Sequence, residues 1–171
     1  MMEPPDIWYA KQDLSKHYMR DTSRPFEEGV SRGQLKRIRK CEAAGITVES
    51  SSLDECYPII VRNRERNGRK HSTSFDEWKL RGNMALFFVA VKLQNAPMAG
   101  AMCVRVALTT LYVSAWGDED GYGHFSPVCL LCKGIYNWCA ANGFTTLDIG
   151  IGGDEGLNQF KERLRFTKGM P

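Results

Sequence analysis

Ser126–Lys161, SPVCLLCKGIYNWCAANGFTTLDIGIGGDEGLNQFK, reads as helix, turn, strand, glycine loop and helix. Pro127 suits a first helical turn, where a missing N–H costs nothing, and Ser126 before it is a capping residue type. Val128, Leu131, Ile135, Trp138 and Asn142 fall three or four apart and share one face. Asn142-Gly143 supplies a left-handed stop. Phe144–Ile149 is β-branched and apolar, the composition of a strand entering a core, with Asp148 near its carboxyl end. Gly150, Gly152, Gly153 and Gly156 then make a loop before a last helix carrying Leu157, Phe160 and Leu164 on one face. A glycine loop at a strand's carboxyl end is where α/β enzymes tend to place chemistry.

Upstream of this stretch, Met84–Val91, Met98–Val106 and Thr109–Trp116 read as three strands joined by short turns, an antiparallel meander. Before them, Ser52-x-x-Glu55 and Ser74-x-x-Glu77 are capping-box patterns opening two helices. Ile46–Ser50 is a strand. Leu35, Ile38 and Cys41 set a helix that ends at Gly45, with Arg32, Lys36, Arg37, Arg39 and Lys40 on its other face. Those cations are a solvated face or a docking surface for a phosphate-bearing substrate. Ile7–Ala10 reads as a short strand, and residues 15–30 are polar with little pattern.

A length of 171 residues with 43% hydrophobic content allows one proper core. A net charge of +3 is too mild to imply nucleic acid by itself. The first residues, MMEPPDIWYAKQ, lack a signal-peptide pattern, and no apolar run approaches the roughly 20 residues of a membrane span. Six cysteines lie mostly in apolar segments, which points to reduced, buried thiols and a cytoplasmic protein. Cys129-x-x-Cys132 with His124 and Cys139 raises redox or zinc chemistry. No second ligand pair accompanies them, so no metal is expected.

Four pieces, in this order and spacing, resemble the GNAT acyltransferase fold, and more narrowly its FemABX-like branch, which includes the aminoacyltransferases of peptidoglycan cross-bridges. They are the basic helix and strand LKRIRKCEAAGITVE (35–49), the hairpin LFFVAVKLQNAPMAGAMCV (86–104), the loop and helix reaching Ala140-Ala-Asn-Gly143, and LDIG (147–150) followed by GLNQFKERLRF (156–166). The resemblance implies an α/β (α+β) fold: a single GNAT-like domain over residues 31–171, with a central mixed, mostly antiparallel sheet flanked by helices. Residues 1–30 would be an N-terminal extension or the remnant of a preceding half-domain. It also implies an acyltransferase, of N-acetyltransferase or aminoacyltransferase type, acting by direct attack of an amine. The donor would be acyl-CoA (acetyl-CoA) or aminoacyl-tRNA, and the acceptor a small-molecule amine or cell-wall precursor. A homodimer, or a second domain, would complete a site left partial. The alternative is a catalytically degenerate module that binds a ligand or partner. Where ordinary GNAT acetyltransferases carry Gln/Arg-x-x-Gly-x-Gly/Ala, this chain has GDEDGYG (117–123), so a pyrophosphate there meets acidic side chains unless only backbone N–H groups face it.

Acyl transfer needs an amine that loses a proton, donors for the oxyanion and a proton for the leaving group. The resemblance puts the oxyanion donors at Ser114, Ala115 and Trp116, in a strand that splays from its neighbour. It puts donor contacts at Gly121, Gly123 and Ser126. His124 is a base by residue type; Tyr122 and Tyr112 are proton donors. Asp148, matching the family's aspartate, either orients the acceptor amine or caps the following loop. Lys161 matches the family's helix lysine and would meet a phosphate or carboxylate. Asn158 and Gln159, on the same turn, complete the expected binding set.

Overall fold

The computed structural model describes residues 3–169. Seven strands form one sheet in the order β2-β3-β4-β5-β6-β1-β7. In chain order they are β1 (His17–Asp21), β2 (Ile46–Ser50), β3 (Ala85–Lys92), β4 (Ala99–Ala107), β5 (Thr110–Asp118), β6 (Thr146–Ile151) and β7 (Thr167–Lys168). Only β5 and β6 run parallel; every other pairing is antiparallel. The helix α5 (Pro127–Ala141) is the crossover that this parallel step requires. This is the expected mixed, mostly antiparallel sheet flanked by helices.

Helices cover both faces. The helices α2 (Arg32–Ala43) and α5 pack on one side around Ile38, Cys41, Leu131, Ile135 and Phe144, and α6 (Glu155–Arg163) joins them. On the other side lie α1 (Pro5–Ala10), α3 (Leu53–Arg66) and α4 (Phe75–Leu80), around Tyr9, Ile60, Trp78 and Met102. Helix and sheet approach closely at Gly134 of α5, where a Cβ would lie 2.3 Å from that of Val48 in β2. Glycine here is a steric necessity.

Several expectations are corrected. Residues 7–10 are not a strand but part of α1, with Pro5 in its first turn and Asp6 favourable at its N-terminus. A four-residue apolar run cannot reveal its own period. Within the unpatterned stretch 15–30 lies β1, placed between β6 and β7. Its His17 and Arg20 are buried and satisfied. Arg20 donates to the carbonyls of Leu164, Pro25, Phe26 and Glu28 and stacks on Phe26 and Tyr136. Ser126 precedes α5 but does not cap it through its side chain. Its φ of 52° is left-handed, and its hydroxyl donates to the Gly123 carbonyl at 3.4 Å. Gly156 belongs to the first turn of α6, where Asp154 caps through the Leu157 N–H. Asp148 is the third residue of β6 rather than near its end, and it is fully buried.

Candidate functional site

The parallel ladder between β5 and β6 is short. It pairs Thr110, Leu111 and Tyr112 with Thr146, Leu147 and Asp148, and then stops. On the β5 side, the partners of Met102 and Cys103 are Ala115 and Val113, so Ser114 is an extra, bulged residue. On the β6 side, Gly150 adopts φ 81°, a left-handed conformation that glycine accepts at little cost. β6 also slips against β1 between the pairs His17–Ile151 and Met19–Asp148. Bulged on one side and kinked on the other, the strands diverge.

Asp148 and Lys161 hold that divergence open. The Gly150 N–H, which has no β5 partner, donates to Asp148 Oδ1 at 2.7 Å. The Lys161 ammonium donates to the carbonyls of Ile149 at 2.8 Å, Gly150 at 3.2 Å and Ile151 at 2.7 Å. Backbone groups that would pair across the ladder are therefore satisfied by two side chains of the LDIG and FK segments. Burial pushes the Lys161 ammonium down to about 8, against the pull of Asp148.

Asp148 has further partners. Its Oδ2 accepts from the Tyr9 hydroxyl at 2.5 Å and lies 2.7 Å from His17 Nδ1. A carboxylate only accepts, so the His17 proton on this bond is carried by Nδ1. Tyr9, His17 and Tyr112 stack around this group with ring centroids about 6 Å apart. Burial and the Asp148 bond push the Tyr9 phenol far up. Neither Tyr9 nor His17 was marked by the sequence. No spacing signals them, because both reach Asp148 across more than 130 residues of chain.

The opening encloses a cavity of about 400 Å³. Tyr112 to Asp118 of β5 line it, with Ile149 to Ile151 of β6, Val128 at the start of α5, Leu157 and Lys161 of α6, and Asn63, Arg64 and Arg69. The Tyr112 hydroxyl has no hydrogen-bond partner among the described residues, and burial pushes it up to about 12.

The sequence-marked residues separate into two groups. Ser114, Ala115, Trp116 and Lys161 line the cavity, with Asp148 sealed beneath it. His124 is exposed, stacked on Phe125 with its carbonyl held by Lys40, and Tyr122 faces a different surface hollow beside Arg62, Arg66 and Glu119. Gly121, Gly123 and Ser126 stay with that loop, outside the cavity lining. Asn158 pins the glycine loop, accepting from the Gly153 N–H at 2.9 Å, and Gln159 pairs with Glu155 and Arg163 on its own helix. Among the described residues no group of three His, Cys, Asp or Glu side chains could hold a metal, and no helix is long and apolar enough to cross a membrane. The six cysteines are free and buried, their thiols raised by burial wherever a shift is resolved.

A crossover helix at a splayed parallel pair is accompanied by a family match. Residues 31–162 match the family described as acetyltransferase (GNAT) domain. The chain belongs to this GNAT family. A search of curated proteins returns no match. Solved structures agree on the GNAT fold. FemX superposes with a TM-score of 0.74 at 12% identity, covering 88% of this chain and 58% of its own. The C-terminal domain of a putative lysylphosphatidylglycerol synthetase from Agrobacterium fabrum gives 0.69 at 12% identity, covering 90% and 57%. L-PGS from Bacillus licheniformis gives 0.67 at 12% identity, covering 90% and 58%. This GNAT domain thus spans under two thirds of the length of each neighbour, and the likeness is one of fold.

Proposed function

We propose that the opening between β5 and β6 is an acyl-transfer site, moving an acyl group onto an amine by direct attack. The observation that carries this reading is the convergence at one cavity of a bulged strand with unpaired backbone, at Ser114, and an unpartnered phenol, Tyr112. The amine nitrogen bonds to the acyl carbon, and the carbonyl electrons move onto oxygen. Amide N–H groups of Ser114 to Trp116 stabilise that oxyanion. The intermediate collapses, the bond to the leaving group breaks as Tyr112 supplies its proton, and the phenolate left behind takes the proton that the attacking amine sheds, which restores the phenol. Asp148 is sealed from the cavity, so its part is positioning: with His17 and Tyr9 it holds the β6 kink against which Tyr112 packs. Lys161 holds the same kink from α6.

Two observations favour a donor whose leaving group is an oxygen, as in an aminoacyl-tRNA ester, over an acyl-CoA thioester. First, the Gly117–Gly123 loop, where the family resemblance would seat a pyrophosphate, is tied to α3 with Gly121 and Gly123 outside the cavity lining. Asp118 Oδ1 accepts from Asn63 and Arg66, and Glu119 forms a two-pronged pair with Arg62. Second, a phenol pushed up to about 12 matches an alkoxide better than a thiolate, whose conjugate acid lies near 8.5. The acceptor amine belongs to a small molecule or a cell-wall precursor, by likeness to FemX-type enzymes.

Thermal-shift measurements with acetyl-CoA, longer acyl-CoAs and an aminoacyl ester of adenosine test the reading. A donor present at 100 times its dissociation constant adds roughly 2.7 kcal/mol, several degrees for a domain of this size. A shift with the ester that Tyr112→Phe retains, together with loss of turnover in that variant, supports transfer. Failure of every donor to bind leaves a module that only binds a partner.

A further inference from the structure

The cavity carries a charge imbalance that the transfer step does not use. Its cationic lining is Arg64, Arg69 and Lys161, and its one lining carboxylate is Asp118. Lys161 is spent on three carbonyls, and Asp118 on Asn63 and Arg66. Along α3, Arg62 and Arg66 sit one turn apart and are neutralised by Glu119 and Asp118. Arg64, two residues from each, points away from that pair and lines the cavity. It is half-buried, and no carboxylate among the described residues pairs with it. Burial and then the neighbouring Arg69 both act against its charge. The one ion pair of Arg69 among the described residues is with exposed Asp154 at 3.7 Å, a weak contact. Near Arg64, His71 packs edge-on to Tyr57 and buries its Nε2 with no partner among the described residues. Two guanidinia at one cavity mouth, with only the exposed Asp154 in weak contact, carry an unfavourable self-energy that an anion would relieve.

We propose that Arg64 and Arg69 form a phosphate-binding pair at the mouth of the β5–β6 cavity, which holds the phosphate-bearing end of the acyl donor. This rests on the acyl-transfer reading for the identity of the ligand. It relocates phosphate recognition from the acidic Gly117–Gly123 loop to side chains of α3 and the segment after it. Planar guanidinia suit this task because each offers paired donors to phosphate oxygens.

The test is calorimetric titration with inorganic pyrophosphate at low ionic strength. The wild-type chain should bind one equivalent saturably. Arg64→Gln and Arg69→Gln should each weaken binding at least tenfold. Arg62→Gln removes the same charge from the outer face of α3 and should leave binding unchanged. Absence of saturable binding, or equal weakening by all three variants, overturns the proposal. Coenzyme A and the trinucleotide CCA are then titrated to separate the two sources of phosphate. Binding of either one that Arg64→Gln weakens tenfold identifies the source. Binding of either one that both variants leave untouched overturns the pair's role toward a donor. Pyrophosphate bound by a protein with no transferase activity would sink the catalytic reading and leave this site standing. Transfer whose KM for donor ignores Arg64→Gln would sink only the site.

Discussion

Two glycine-rich segments flank the same opening, and they behave in opposite ways. Gly117–Phe125 has the showier chemistry on paper: three acids, a tyrosine and a histidine in nine residues. In the fold two of its acids, Asp118 and Glu119, are bound by α3, Asp120 accepts from the Gly121 N–H of its own loop, Tyr122 faces a separate hollow and His124 is exposed. The segment from Leu147 to Lys161 looks plainer, yet its Asp148 and Lys161 satisfy the backbone where β5 and β6 part. Residue type marked the first segment, and likeness to the family's LDIG and FK pieces marked the second. Which one shapes the cavity depends on where backbone hydrogen bonds run out.

Breaking that contrast begins with Tyr112→Phe, which should lower turnover 10²- to 10⁴-fold with folding preserved, the range for loss of a general acid. An unchanged rate would remove Tyr112 from the chemistry. Next, Lys161→Met leaves three carbonyls without their cation and should cost about 3 kcal/mol in urea unfolding. This difference also has a pH signature. The lysine is held near 8 in the fold and near 10.5 when unfolded, so between those values the unfolded chain binds more protons. Wild-type stability should therefore rise relative to the variant by about 1.4 kcal/mol per pH unit across that window, and stay flat below it. Gly134→Ala, a control far from the opening, should cost about 2 kcal/mol through overpacking against Val48 while sparing the rate per folded molecule. His124→Ala should change stability by under about 0.5 kcal/mol and turnover by less than twofold, as an exposed position does. A large loss there would return the chemistry to the loop.

The meander, the capped helices and the Ser126–Lys161 unit were legible because each rests on local periodicity and turn chemistry. β1 was not, because its sequence HYMRD is polar while its surroundings are buried. His17 and Arg20 are tolerated inside only because Asp148 and a ring of carbonyls receive them, partners supplied from distant sequence. The same cause hid Tyr9 and His17 as partners of Asp148. The capping alternative for Asp148 was readable from its place before Ile149-Gly150, and Gly150 does donate to it. The reach of Lys161 back to β6 was not readable, since a lysine on an amphipathic helix is by default solvated. Here it is 2% exposed.

The central claim is that the donor's acyl group enters the opening between β5 and β6. Titration of the labelled protein with a non-hydrolysable aminoacyl-adenosine analogue, followed through backbone amide resonances, tests it directly. The account predicts the largest shifts at Val113 to Asp118 and at Gly150 and Ile151, with those of Gly121 to Phe125 barely moving. Shifts concentrated in Gly121 to Phe125, with the β5 and β6 amides still, would contradict it.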